Sequence, residues 1–420
     1  MITDEQLMEV IGEQREAFLR KPFGIERESL QDVEAKIRLP HVIVLTGLRR
    51  SGKSTLLRQI AHKYYKDDAF YYVNFEDERL LNFPASEFNR IYECMIRVSG
   101  KKKTFLIDEI QNVPNFESFV RRFCDEGFKF IITGSSATLL SKEIGTKLTG
   151  RHVDMVLAPF SFVEFLRMKE VNIKNKIFNT ETKAEIKKHF DDYLHSGGMP
   201  EYLISRDPEV LSRAYEDTIL KDIAVRYKIE NVSVLRELYQ YLITNFANRF
   251  SFNSLKKIAN LGSTNTIKKY ISHLEETYFI KVINKFDYSL KKQIFGDKKI
   301  YIIDNGFIEI ISRKLTKDSG WLLENMVFSR LSQKNEVFYY SNEKECDFVI
   351  VKNKEIKNAI QVCFELNNDN RKREIEGLKE VMQKFKIKEG AIFTHSQEDE
   401  ISEKGIKIKI IPVWKWLLSS

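Results

Sequence analysis

Cysteine is scarce. The four residues Cys94, Cys124, Cys346 and Cys363 lie far apart in 420 positions and form no Cys-x-x-Cys pair. That excludes a zinc site and a disulfide framework, and leaves them as reduced core or strand residues. No apolar run approaches the roughly 20 residues that a membrane-spanning helix requires. The opening MITDEQLMEV is acidic where a secretory leader is basic, so a cytoplasmic protein without a membrane partner is expected. The histidines form no metal-ligand or nucleophile pattern, and no internal repeat or low-complexity tract occurs. What is present suits a globular chain: 43% hydrophobic and 12% aromatic residues supply a core, and 30% charged residues supply a surface. The length predicts two to four units.

The net charge of +8 is concentrated. Residues 1–250 carry 38 basic and 37 acidic side chains, residues 251–320 carry 13 and 7, and residues 321–420 carry 17 and 16. Only clustered charge attracts a polyanion, so the middle segment is the candidate for nucleic-acid contact. A solvated lysine-rich surface is the plainer alternative.

Between Arg38 and Gly150, β-branched runs (HVIVLT, FYYVNF, TFLIDE, FKFIIT) alternate with amphipathic stretches, which predicts a parallel sheet with helices on both faces. From Ser161 to Arg249 the pattern is mostly helical, interrupted at Gly197-Gly198-Met199-Pro200, where a turn is expected.

Residues 47–54 (GLRRSGKS) fit Gly-x-x-x-x-Gly-Lys-Ser/Thr between a strand and a helix. Such a loop aims backbone N–H groups and a helix N-terminus at phosphate oxygens. Gly47, Arg50, Ser51, Gly52, Lys53, Ser54 and Thr55 are therefore the candidate nucleotide-binding residues. Lys53 would reach the β- and γ-phosphates and Ser54 would ligate Mg²⁺, while Thr55 reads as an early helix residue. The strand TFLIDE ends in two acids. Asp108 would orient the Mg²⁺ shell, and Glu109 would act as general base on the attacking water. Ser135 and Ser136, after FKFIIT, have hydroxyls suited to sensing the γ-phosphate. Arg151 is the candidate to neutralise charge on the transferred phosphoryl group, presented by a lid or a neighbouring subunit.

In TGLRRSGKSTLL, FLIDEIQNV, the 132–165 stretch, SGGMPEYL, KKIYIIDNGF, LLENMVFSRL and ECDFVIV, the chain resembles the prokaryotic predicted ATPases of the AAA+ superfamily. These carry a C-terminal domain of unknown function related to PD-(D/E)xK nucleases. The resemblance implies an α/β P-loop ATPase core at 1–160 with an N-terminal helix, a helical lid at 161–249 and a winged helix at 250–310. It also implies a restriction-endonuclease-like domain at 311–420.

Residues 251–278 read as helix, turn, helix, the spacing of a helix-turn-helix. Ile267, Ile271 and Leu274 would face the core, leaving Asn265, Lys268 and Lys269 toward DNA. Lys291, Lys292, Lys298 and Lys299 flank an expected hairpin whose tip would meet phosphates. Nucleases of the resembled type hold Mg²⁺ with an Asp and a Glu beside a catalytic Lys. Here Glu324 and Asp347 remain, but Gln361 and Cys363 stand where Glu-x-Lys would be, so an inactive nuclease fold is expected unless Lys372 or another lysine moves in. These residues favour an ATPase using ATP and Mg²⁺ to govern a DNA-binding winged helix. An ATP-switched scaffold with a protein partner and an ATP-gated nuclease are the alternatives.

Overall fold

The computed structural model of the chain describes residues 2–65, 69–135, 148, 150–173, 178–312, 319–403 and 405–419. The chain divides into two units, residues 1–159 with 276–278, and residues 160–275 with 279–420.

The first unit contains α1 (Asp4–Arg20), α2 (Ser29–Ile37), β1 (Val42–Thr46), α3 (Lys53–Tyr64) and β2 (Tyr71–Asn74). It continues with α4 (Phe88–Ser99), β3 (Thr104–Asp108), α5 (Glu117–Asp125), β4 (Lys129–Thr133) and β5 (His152–Val156). The strands pair in parallel in the order β2-β3-β4-β1-β5, as the alternating runs predict. Successive strand side chains point to opposite faces, and both faces are covered. Val42, Val44, Phe105, Ile107, Phe130 and Ile132 pack with α1, α4 and α5. Ile43, Leu45, Leu106 and Ile131 pack with α2 and α3. Burial on both sides explains why these strands are unbroken apolar runs rather than alternating ones. The loops that leave the C-terminal ends of β1, β3 and β4 thus open on one edge of a rigid sheet.

The second unit begins with helices α6 (Phe162–Met168), α7 (Thr180–Ser196), α8 (Pro200–Ser205) and α9 (Pro208–Asp217), a π-type turn at Thr218–Val225, and α10 (Val232–Thr244). The expected turn at Gly197 is present, with φ 66° after α7 and Pro200 opening α8. A Cβ at Gly197 would lie 2.0 Å from an Asp304 carboxylate oxygen. That carboxylate accepts the Gly198 and Gly306 N–H groups at 2.5 and 3.0 Å, and burial pushes it up to about 6.

Next come β6 (Arg249–Phe250), α11 (Phe252–Ile258), α12 (Thr264–Glu276), β7 (Ile280–Asn284), α13 (Leu290–Phe295) and β8 (Lys298–Ile302). The three strands form an antiparallel sheet in the order β6-β8-β7. Ile267, Ile271 and Leu274 are the buried face of α12, as their spacing predicts. The turn before α12 takes its left-handed residue at Asn260 (φ 48°) rather than at Gly262, because Asn tolerates that region almost as well.

The chain ends with α14 (Asn305–Ile311), α15 (Ser319–Leu331), β9 (Glu336–Ser341), β10 (Glu345–Lys352) and β11 (Glu355–Val362). After these come α16 (Arg371–Lys384), β12 (Glu389–Thr394), β13 (Asp399–Glu403), β14 (Ile406–Pro412) and α17 (Val413–Leu417). Its six-stranded sheet, in the order β13-β14-β12-β11-β10-β9, is mixed, with only β11-β12 and β12-β14 parallel. No described helix is long and apolar enough to cross a membrane.

Candidate functional site

The loop after β1 has a backbone that few side chains tolerate. Gly47 leaves the strand at φ 142°, and a Cβ there would lie 2.3 Å from the Leu157 carbonyl oxygen. Gly52, at φ 96°, is the N-cap of α3. Between them Arg50 holds φ 64°, a left-handed conformation costing about 1 kcal/mol or more. The Ser51 N–H donates to the Leu48 carbonyl at 3.1 Å, while the buried Ser51 hydroxyl has no hydrogen-bond partner among the described residues. Such an orphan in a tight turn that leads into a helix N-terminus fits a site for an oxyanion. Lys53, buried at the start of α3, donates from Nζ to the Gly47 and Leu48 carbonyls, each at 3.1 Å. Ser54 is exposed on the same turn, whereas the Thr55 hydroxyl accepts from Arg58 at 3.4 Å. Arg49 pairs with Glu76 at 3.1 Å. Gly47→Ala is expected to lower nucleotide affinity about tenfold or more, a cost of about 1.4 kcal/mol, measured by calorimetry; unchanged affinity would mean that the Leu157 carbonyl yields.

One support of this loop has no sequence signature. The Arg27 guanidinium is buried, donating at 2.7 Å to the Ser51 carbonyl and at 2.5 Å to that of Ala158. Gln59 on α3 fixes the approach by accepting the Arg27 N–H at 3.2 Å and donating to the Phe23 and Ile25 carbonyls. Arg27 thus places a cation against the loop's carbonyl at Ser51.

Strand β4 lies between β1 and β3, which brings Thr133 beside the two acids. Its hydroxyl donates to Asp108 Oδ1 and accepts the Glu109 N–H at 3.0 Å. Glu109 sits at φ 52°, just beyond the strand. Its carboxylate accepts from Gln111 Nε2, which also reaches Ser135 Oγ at 3.4 Å. Burial pushes the Glu109 carboxyl above its usual range, with the Lys53 ammonium pulling it back and Asp108 pushing it up. Lys53, Asp108, Glu109 and Ser135 are thus served by three adjacent strands. Thr133 was not singled out by sequence, and Ser136 lies outside the described residues.

Arg151 is not brought to this edge within the chain. The strands β1 and β5 run parallel with Val42 beside His152 and Thr46 beside Val156. At about 3.3 Å per residue, Arg151 stands roughly 13 Å or more from the loop, on the opposite edge of the sheet. Half-exposed, it pairs with Asp125.

In the basic segment, Asn265, Lys268, Lys269, Lys291 and Lys292 are exposed. Lys298 and Lys299 are not, which corrects the expectation that they flank a phosphate-binding tip. Lys298 is buried, its Nζ donating to the Gln293, Ile294 and Gly296 carbonyls at 2.6, 3.0 and 3.0 Å. Lys299 turns into the C-terminal sheet instead.

There the structure gathers three of the four nuclease-type positions. Glu324 on α15, Asp347 on β10 and Gln361 on β11 are all buried. Asp347 accepts the Val362 N–H at 2.9 Å, its own N–H donates to Gln361 Oε1 at 3.2 Å, and Gln361 Nε2 donates to Glu374 at 2.6 Å. Cys363 lies just past β11, its thiol pushed up to about 12 by burial and by Glu374 and Asp347; it is a neutral group. Lys372 is exposed and stays away, 3.9 Å from Glu376. The lysine that enters is Lys299, with Nζ 3.3 Å from Glu324, 3.0 Å from Glu345 and 3.6 Å from Asp347. Burial alone would lower the Lys299 ammonium, but the three carboxylates outweigh it and hold the proton firmly. Asp347 moves well up, through burial and then the like charge of Glu324. Tyr301 completes the set by donating to Glu324 at 2.6 Å.

A family profile described as an AAA domain matches residues 40–166, and one for a domain of unknown function, DUF8612, matches residues 187–318. An uncharacterized protein of Haemophilus influenzae is 29% identical, with 89% of this chain and 94% of that one covered. Among solved structures, the Thermotoga maritima RuvB Holliday junction branch migration motor is 15% identical, covering 63% of this chain and 93% of that one with a TM-score of 0.31. The uncharacterized protein MJ1544 of Methanocaldococcus jannaschii is 36% identical over 413 residues, 93% of this chain and 91% of that one. With its AAA domain carried on the parallel sheet, the chain belongs to the same family as that archaeal protein.

Proposed function

We propose that the chain is a Mg²⁺-dependent ATPase whose nucleotide state governs how a winged helix, formed by α11, α12 and the β6-β8-β7 sheet, engages DNA. The observation that carries the ATPase part is Thr133, which joins Asp108 and Glu109 through one hydroxyl while Lys53 bears on Glu109 from the loop. Ser54 and Asp108 would hold Mg²⁺, which would neutralise charge on the phosphates. Lys53 would orient the terminal phosphates, and Glu109, its carboxylate held by Gln111, would accept the proton of the attacking water. Coupling to the basic segment is supported by the course of the chain, which passes through the first unit at residues 276–278 between α12 and β7, the Tyr278 hydroxyl lying 2.8 Å from Thr46 Oγ1 within that unit. Gln361, standing where a metal-binding Glu would be, supports an inactive nuclease-like fold, whereas Lys299 beside Glu324 and Asp347 supplies the lysine that the ATP-gated nuclease reading requires.

Two measurements test this. Isothermal calorimetry with ATP should show binding by the native chain and none by Lys53→Ala; a native chain that ignores ATP removes the proposal. DNA affinity should fall steeply with salt, and reversing Lys268 and Lys269 to Glu should weaken binding and flatten that slope by about one for each phosphate no longer neutralised. Salt-independent binding would favour a protein partner instead.

A further inference from the structure

The β7–β8 connection holds large apolar side chains in water. Tyr288, Leu290, Ile294 and Phe295 are 77, 67, 49 and 76% exposed. Each aliphatic or aromatic side chain left out of a core forgoes about 1.5–3 kcal/mol, and grouped exposure of this kind marks an interaction surface.

The segment carrying them is firmly built. Asp287 Oδ1 accepts the Ser289 N–H at 2.8 Å, and Gln293 Nε2 donates to the Asp287 carbonyl at 2.6 Å. At the other end, the buried Lys298 ammonium satisfies the last carbonyls of α13. The fold places an internal cation under this short helix and directs its apolar side chains outward.

The occupant must offer flat apolar faces and negative charge together. Lys291 and Phe295, four residues apart, share one face of α13, and Leu290 and Ile294 share the next; Lys292 is also exposed. A second copy docking by symmetry would set these lysines against their own counterparts. Duplex DNA keeps its base faces stacked inside, whereas a single strand presents both bases and phosphates. We propose that Tyr288 and Phe295 form a stacking platform for unpaired bases of single-stranded nucleic acid, with Lys291 and Lys292 on its phosphates. This rests on the proposal that the basic segment binds nucleic acid, and names the form it takes.

Fluorescence anisotropy on the full chain, with labelled oligo(dT) and a blunt duplex as probes, tests it. Tyr288→Ala and Phe295→Ala should each weaken oligo(dT) binding about tenfold, leaving duplex binding and the melting temperature nearly unchanged. Reversing Lys268 and Lys269 to Glu should weaken both probes. If the alanine variants hold oligo(dT) like the native chain while the lysine variants lose both probes, the platform is refuted and DNA binding stands. If the native chain holds neither probe, both proposals fall. Phe295-dependent self-association or binding to anionic vesicles, with oligo(dT) affinity unaltered, would refute the platform in favour of those partners.

Discussion

Glu109→Gln is expected to retain ATP binding and to lower turnover by about 10²–10⁴-fold, the range for a general base. The substitution keeps the shape and the Gln111 contact while removing the proton acceptor. Affinity and rate should therefore separate, which calorimetry and steady-state phosphate release can read independently. Because burial raises the Glu109 carboxyl, its proton persists to a higher pH than on an ordinary glutamate, and only the deprotonated form can act as base. The acid limb of the native kcat profile should accordingly lie above the usual carboxylate range and vanish in the variant. Normal turnover by Glu109→Gln would remove the assignment.

Lys299→Met is expected to destabilise the second unit by about 3–5 kcal/mol, as when one partner of a buried ion pair is deleted. The methionine fills similar space, so the loss is electrostatic: Glu324 and Asp347 remain buried and Glu345 half-buried, with no ammonium between them. Adding Glu324→Gln should recover part of the loss, since it removes one of the facing charges. A carboxyl raised in the folded state contributes stability that is present below its unfolded value and lost as pH rises through the folded one. The deficit should thus shrink on acidification, followed by chemical unfolding at several pH values. Equal stability of Lys299→Met and the native chain would show that water already screens the cluster.

Legibility in the sequence follows physical lines. The phosphate loop and the acid pair could be read because close backbone approach to an anion requires glycine at set spacing, and because doubly covered strands are continuous apolar runs. Ile267, Ile271 and Leu274 were legible for a similar reason, since a helix repeats its inward face. Thr133 and Arg27 were not, because each acts through partners from other elements and leaves no local pattern. Lys298 and Lys299 read as surface charge, yet they are buried against carbonyls and against carboxylates 25 or more residues away in sequence. Arg151 follows a strand motif on paper, but it precedes β5 and therefore stands at the wrong end of a parallel sheet.

Arg27 has one further consequence. The same guanidinium that grips Ser51 also grips Ala158 and, at 3.5 Å, Pro159, where the chain leaves its first unit. Arg27 thus ties the Ser51 carbonyl of the loop to the backbone at Ala158 and Pro159, beside the direct approach of Gly47 to Leu157. One residue serves at once as the floor of the loop after β1 and as the clasp on the outgoing chain.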